Sequence, residues 1–311
     1  MKTRVITGIV FTLTAAAFLV PGFAVPMLSL LFFLMVSVAC LIELSSVIKL
    51  KLPDISQPLI TISALGILIP MIPVFLKGSF DWGFITDMEV SSPNKLSLER
   101  AEILEYLTDT SAYFLIFFVV FSFFSVIYIL SAKGPTKILE AVITPLTSVY
   151  IVFPFACAAT LLFIMPNGFF WMITAFIAAW VSDVFAFFAG VTLGKHKIVP
   201  QISPKKTWEG TIGGIIGTIM IITVWISIVM KGPDIVAKGS VFLVSFGVVT
   251  GLITSLASQL GDWFASAIKR SAGVKDYGSL LPGHGGLLDR FDGVLFAFPT
   301  VLAAAIIYYL I

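Results

Sequence analysis

Between Ser266 and Asp292 the chain gathers, within 27 residues, side chains that suit polyphosphate chemistry. Ser266, Lys269, Arg270 and Lys275 with Asp276 come first, then a turn Pro282-Gly283-His284-Gly285-Gly286, then Asp289, Arg290 and Asp292. Cations neutralise phosphate oxygens, a glycine-rich turn offers backbone N–H groups, and carboxylates hold a divalent cation. A second polar stretch runs from Gly194-Lys195-His196-Lys197 to Ser203-Pro204-Lys205-Lys206-Thr207-Trp208-Glu209-Gly210. Lysines and hydroxyls ahead of a helix start suit an anionic ligand, because the helix N-terminus adds its own N–H groups. A basic loop that merely sets topology is the plain alternative.

Acids also occur in apolar surroundings. Asp183 lies inside Trp180–Gly190, about 10 Å from that run's polar end at 1.5 Å per residue, where a carboxylate is expensive and functional by default. Ser258, Asp262, Ser266 and Arg270 are spaced by four, with Lys269 three after Ser266, so they share a helix face. Asp289 and Asp292 are three apart and meet at the start of the last apolar run. Two adjacent carboxylates repel unless a cation sits beside them, although a pair of helix caps would use the same residues.

These residues must be positioned by membrane helices. The chain is 59% hydrophobic and 12% charged, against about 25% charged in soluble domains, and its mean hydropathy is +1.07. The expected fold class is therefore an all-α polytopic membrane protein. Apolar runs near 5–20, 23–43, 57–76, 111–131, 144–165, 169–190, 211–230, 240–265 and 291–311 predict about nine transmembrane helices at roughly 20 residues each. Prolines 70, 73, 145 and 154 make the third and fifth runs the weakest. Barrel strands are excluded by the missing period-two alternation.

With the N-terminus cytoplasmic and the C-terminus outside, Lys2, Arg4, Lys49, Lys51, Lys133, Lys137, Lys195, Lys197, Lys205, Lys206, Lys269, Arg270, Lys275 and Arg290 lie inside, against five basic residues outside. The asymmetry follows the positive-inside rule and turns both polar stretches toward the cytoplasm. Residues 77–110 form an acidic outer loop, read as solvated with one short surface helix. The first twenty residues also resemble a signal peptide. Cys40 and Cys157 sit in apolar runs without ligand spacing and read as small buried hydrophobes. Gly210, Gly213, Gly214 and Gly217 read as helix packing. Three regions are expected: membrane helices and the outer loop over 1–110, middle helices over 111–165, and a catalytic region with cytoplasmic loops over 166–311. The first half is poor in polar residues, so it is expected to pack, anchor or form a homodimer and to line a lipid-accessible groove.

The pattern Ser266-x-Ile268-Lys269-Arg270-x4-Lys275-Asp276-x-Gly278-x2-Leu281-Pro282-x-His284-Gly285-Gly286-Leu287-x-Asp289-Arg290-Phe291-Asp292 resembles the signature of phosphatidate cytidylyltransferases, also called CDP-diacylglycerol synthases. Ser203-Pro204-Lys205-Lys206-Thr207-x-Glu209-Gly210 and Ser182-Asp183 resemble the same family, and the likeness is clear over about 165–311. It implies transfer of CMP from CTP to phosphatidate, giving CDP-diacylglycerol and pyrophosphate, in phospholipid biosynthesis at a bacterial inner membrane. It also implies Mg²⁺, with K⁺ as a second cation of the same centre, and Asp262 and Asp289 as metal-holding acids. Asp292 and Asp183 are expected as further metal ligands or as residues that support the ligands from behind. Lys269, Arg270 and His284 join Asp262 and Asp289 as catalytic candidates, and Ser203, Lys205, Lys206, Thr207, Ser266, Lys275, Asp276, Gly285, Gly286 and Arg290 as substrate contacts. CTP, phosphatidate and the bilayer are the expected partners, with no nucleic acid. A phosphate monoester is already anionic near neutral pH, with a second pKa of about 6, so metal and cations matter more than a general base. A CTP-using lipid kinase and a cation transporter are the rivals from other classes.

Overall fold

The structure, a computed structural model, describes residues 2–23, 25–77, 93–229, 238–283 and 285–311. Ten α-helices carry it: α1 Lys2–Leu19, α2 Pro26–Lys49, α3 Gln57–Ile62, α4 Met71–Leu76, α5 Pro93–Lys133, α6 Ile138–Ile164, α7 Gly168–Thr192, α8 Trp208–Val229, α9 Ser240–Ser271 and α10 Leu288–Leu310. The described residues contain no β-strand, only two isolated bridges. Among the described residues, seven helical stretches are long and apolar enough to cross a membrane: α2, Arg100–Lys133 of α5, Pro135–Ile164 through α6, α7, α8, α9 and α10. The all-helical, polytopic membrane class expected from composition is what the chain adopts.

The nine expected runs do not map one to one onto those seven. The first becomes α1, a helix of 18 residues. The run at 57–76 breaks into α3, a 3-10 stretch Ser63–Leu68 and α4. Pro70 immediately precedes α4 and Pro73 lies in its first turn, each lacking the backbone donor a continuous helix needs. The expected outer loop differs too. Pro93 opens a 41-residue helix, so Glu99, Glu102, Glu105 and Asp109 ride on α5, while Asp81, Asp87 and Glu89 lie outside the described residues. Lys77 bridges Glu105 at 2.9 Å and Asp109 at 2.8 Å, one turn apart on α5. Pro145 and Pro154, by contrast, leave α6 continuous over 27 residues. Membrane helices tolerate interior proline better than soluble ones do.

The chain divides into two compact units. One comprises Met1–Met88, Leu96–Pro166 and Ile268–Arg290; the other comprises Glu89–Lys95, Asn167–Ala267 and Phe291–Ile311. In the first, α2 and α6 share a core in which Phe33 and Phe155 rings lie 5.8 Å apart, and Cys40 is fully buried. In the second, α7 packs against α8 through the glycines. A Cβ on Gly213 would overlap that of Ala189, one on Gly217 would overlap the Phe185 ring, and one on Gly214 would come within 2.9 Å of the Ser182 carbonyl. The helix-packing reading of that glycine series holds, since the missing side chains let the backbones meet.

Candidate functional site

Within the first unit, residues 268–290 fold around one carboxylate. Lys269, in the last turn of α9, is 7% exposed, and its Nζ lies 2.6 Å from Asp289 Oδ1. Oδ2 of the same aspartate accepts the backbone N–H of Tyr277 and that of Gly286, both at 2.9 Å. The Lys269 ammonium also stands 5.1 Å from the centre of the Tyr277 ring. The turn between them is shaped by Gly283 and Gly285, at φ 79° and 86°. Those values fall in the left-handed region that only glycine enters without strain. The Leu281 N–H closes the turn on the Gly285 carbonyl at 3.0 Å. A pair this buried costs desolvation, and removing one partner would strand the other charge at about 3–5 kcal/mol.

Glu43, in the last third of apolar α2, completes this cluster. It is 8% exposed, and its two carboxylate oxygens accept the N–H groups of Leu287 and Leu288 at 2.9 and 2.8 Å. Three consecutive amides leading into α10, those of residues 286, 287 and 288, therefore end on carboxylates of the protein itself. Free amides for a ligand were expected in this turn; the Gly286 N–H instead points at Asp289. The sequence reading passed over Glu43 and Tyr277. The signal for Glu43 was nevertheless present, an acid in an apolar run of the kind that singled out Asp183.

The second unit builds a separate cluster on α9. Asp262 Oδ2 pairs with Lys206 Nζ, and Asp262 Oδ1 accepts the Ser266 hydroxyl one turn on, at 3.3 Å. The Lys206 ammonium lies 5.5 Å from the centre of the Trp263 ring. One turn before Asp262, Gln259 Nε2 lies 3.3 Å from each of Ser182 Oγ, Ser255 Oγ and the Thr211 carbonyl, which share its two N–H donors. Ser182 is thus one α7 residue packed on α9. Asp183 lies on an exposed face.

The basic loop 194–210 is fixed by its own contacts. Glu209 accepts the N–H groups of Lys195 and His196 at 3.1 and 3.3 Å and pairs with His196 Nδ1 at 2.7 Å. Thr207, 4% exposed, caps α8 by accepting the Gly210 N–H at 3.2 Å, as a threonine N-cap does. Lys206 is thereby held at the helix start, whereas Lys205 is exposed and Ser203 half-buried.

Lys275, Asp276 and Arg290 are exposed; exposed Arg270 donates to the Val274 carbonyl at 3.0 Å. Asp292, 9% exposed, accepts the N–H of Gly293 at 2.8 Å. His284 lies outside the described residues. No group of three or more His, Cys, Asp or Glu is placed to hold a metal among the described residues. That composition still fits Mg²⁺, which binds through one or two carboxylates and completes its shell with water and substrate phosphate. Asp262 and Asp289 both supply hard oxygens of that kind.

A cytidylyltransferase family model matches residues 2–308. A phosphatidate cytidylyltransferase of Mycobacterium bovis is 41% identical over 163 residues, covering 51% of this chain and 48% of that protein. The chain thus spans about half the length of that relative in the alignment, and 44% of the one from Mycobacterium tuberculosis. A phosphatidate cytidylyltransferase of Staphylococcus saprophyticus is 29% identical over 301 residues, covering 97% of both chains.

Proposed function

Because the chain belongs to the cytidylyltransferase family, we propose that it transfers the cytidylyl group of CTP to phosphatidate, giving CDP-diacylglycerol and pyrophosphate. The observation that carries this reading is the closure of the 268–290 segment around Asp289, with Lys269 buried against it. A phosphate oxygen of phosphatidate attacks the α-phosphorus of CTP. The new P–O bond forms as the bond to the β-phosphate bridging oxygen breaks, and pyrophosphate leaves with that electron pair. Attack brings anion against anion, so the enzyme's task is charge. Lys269 and Lys206 supply fixed cations, with Arg270, Lys275 and Arg290 as outer donors and His284 and Gly285 at the turn. Ser203, Lys205 and Thr207 form the basic loop, and Ser266 orients Asp262. Asp262 and Asp289 would hold Mg²⁺, with Asp292, Asp183 and K⁺ as further members. A metal held there would supply positive charge to offset the triphosphate and the leaving pyrophosphate.

Nine crossings, with the N-terminus cytoplasmic, fit this reading. The broken run 57–76 counts as one of them because its two ends are tied to two distant points of α5. Asp54, before it, pairs with Lys133 at 3.4 Å. Lys77, after it, pairs with Asp109. From Asp109 to Lys133 a helix rises roughly 36 Å at 1.5 Å per residue, enough to cross a hydrocarbon core of about 30 Å. The basic asymmetry then puts the chemistry on the cytoplasmic side of a bacterial inner membrane. The outward apolar face of α5, with Phe123 and Ile127 exposed, meets acyl chains or, in a homodimer, a second copy.

The test is label transfer. Phosphorus label in the α-phosphate of CTP should enter the lipid product, and label in the γ-phosphate should leave as pyrophosphate. Lipid labelled from the γ-phosphate would make the protein a kinase, and lipid-independent behaviour toward CTP would end the reading.

A further inference from the structure

The structure assigns Glu43 a role: we propose that it is a positioning residue for cytidylyl transfer, a carboxylate inside a membrane helix that clamps the turn carrying Asp289. The inference rests on the proposed function above. Glu43 is 244 and 245 residues from its partners Leu287 and Leu288, yet it takes both their N–H groups in parallel. Neither amide has an intrahelical acceptor, since both stand at the start of α10, so the clamp fills the need that every helix N-terminus has. An acid there also meets the positive end of the helix dipole.

The loop is shaped to receive this side chain. A Cβ on Gly278 would lie 2.7 Å from Glu43 Oε1, and one on Gly286 would lie 2.6 Å from Oε2. Two glycines of the signature stretch therefore leave space for one carboxylate of α2. Gly278 is the more telling, because the three atoms nearest its Cβ would all belong to Glu43. The amide at position 286 bonds Asp289, and the next two bond Glu43. Each oxygen of Glu43 thus acts on Asp289 through the intervening backbone. It contacts no reacting group itself.

The clamp needs two acceptors at one reach. Glutamine at 43 keeps one acceptor and turns an NH₂ donor against the other amide. Aspartate keeps both oxygens but is one methylene shorter. In detergent-solubilised full-length protein, E43Q should lower kcat on the order of tenfold to a hundredfold, as small displacements of catalytic groups do. KM for CTP should move less than about threefold, because substrate contacts are untouched. E43D should recover part of the loss. Hydrogen exchange at the amides of 286–288 should rise in E43Q, with α7 and α8 peptides unchanged. If E43Q does not fold, G278A reads the same contact: it should lower kcat alone, and adding E43D should restore part of it by withdrawing the carboxylate. Wild-type kcat in E43Q, or unchanged exchange at 286–288, overturns the proposal. A wild-type protein that releases no pyrophosphate from CTP overturns the proposed function instead, and the exchange measurement still judges the clamp.

Discussion

Asp289 and Asp262 are both aspartates paired with a lysine, yet the chain holds them differently. The Asp289 side chain is 7% exposed and its lysine 9%, and two backbone amides fix its second oxygen. The Asp262 side chain is 23% exposed, its lysine 25%, and it also accepts the Ser266 hydroxyl one turn away. One carboxylate is part of the architecture of its turn; the other is presented on a helix face. Where a charge is buried and fully bonded, chemistry and stability depend on the same atoms. Where it is half-exposed, they separate.

The sharpest way to break this contrast is to remove the buried partner. K269A should abolish detectable pyrophosphate release and also destabilise the protein by about 3–5 kcal/mol, because Asp289 is left as an unpaired buried charge. Thermal unfolding in detergent reads the second effect, and an unchanged melting temperature would show that the pair is not buried as described. D262N should lower turnover roughly 10²- to 10³-fold, as loss of a group that stabilises transition-state charge does. Its melting temperature should stay close to wild type, since half-exposed pairs contribute about 0–1 kcal/mol. Equal destabilisation by the two variants would erase the distinction. Next in size is G214A. Its Cβ would sit 2.9 Å from the Ser182 carbonyl and 3.1 Å from Gln259 Nε2, an overpacking that costs about 1–3 kcal/mol. The loss should appear as faster hydrogen exchange in α7 and α8 peptides, while those over 276–290 hold.

Much of this was legible in the residues themselves. Hydropathy gave the membrane class and most helices, and the density of polar residues after Ser266 marked the segment that folds around Asp289. The pairing was not legible. Lys269, Arg270 and Lys275 are equivalent as letters, and only the fold shows that Lys269 is buried while the other two are exposed. Glu43 was legible in kind, as an acid in an apolar helix, but its partners are backbone amides some 244 residues away, which carry no signature in side-chain type. Asp183 stood out as an intramembrane acid, while the bonds of Ser182 to α9, one step and about 100° round the helix, had no signal in the sequence. The extent of α5 was hidden because its first turns are polar and its ion pairs with Lys77 depend on a distant segment.

The smallest effect should come from the exposed end of the same scale. Asp54 lies between Lys137, at 2.7 Å, and Lys133, at 3.4 Å. The Lys137 hydrogen bond, outweighing a small opposing desolvation and aided by Lys133, holds its carboxyl below the usual aspartate value. A depressed folded-state pKa means that the unfolded chain binds the proton first as pH falls. The stabilisation is therefore complete above the ordinary aspartate range, near 3.9, and is lost as pH drops through the lower folded value. In a series from pH 6 to pH 3, wild type should melt slightly above D54N at the upper end, and the two curves should converge toward the lower end. High salt should shrink the gap, since solvent-exposed pairs are screened. A gap that widened on acidification would mean the carboxylate is held protonated in the fold, which the two lysines beside it should prevent. Pyrophosphate release should not differ between the two proteins, because this network ties α5 to the segment before α3 and touches neither aspartate of the proposed site.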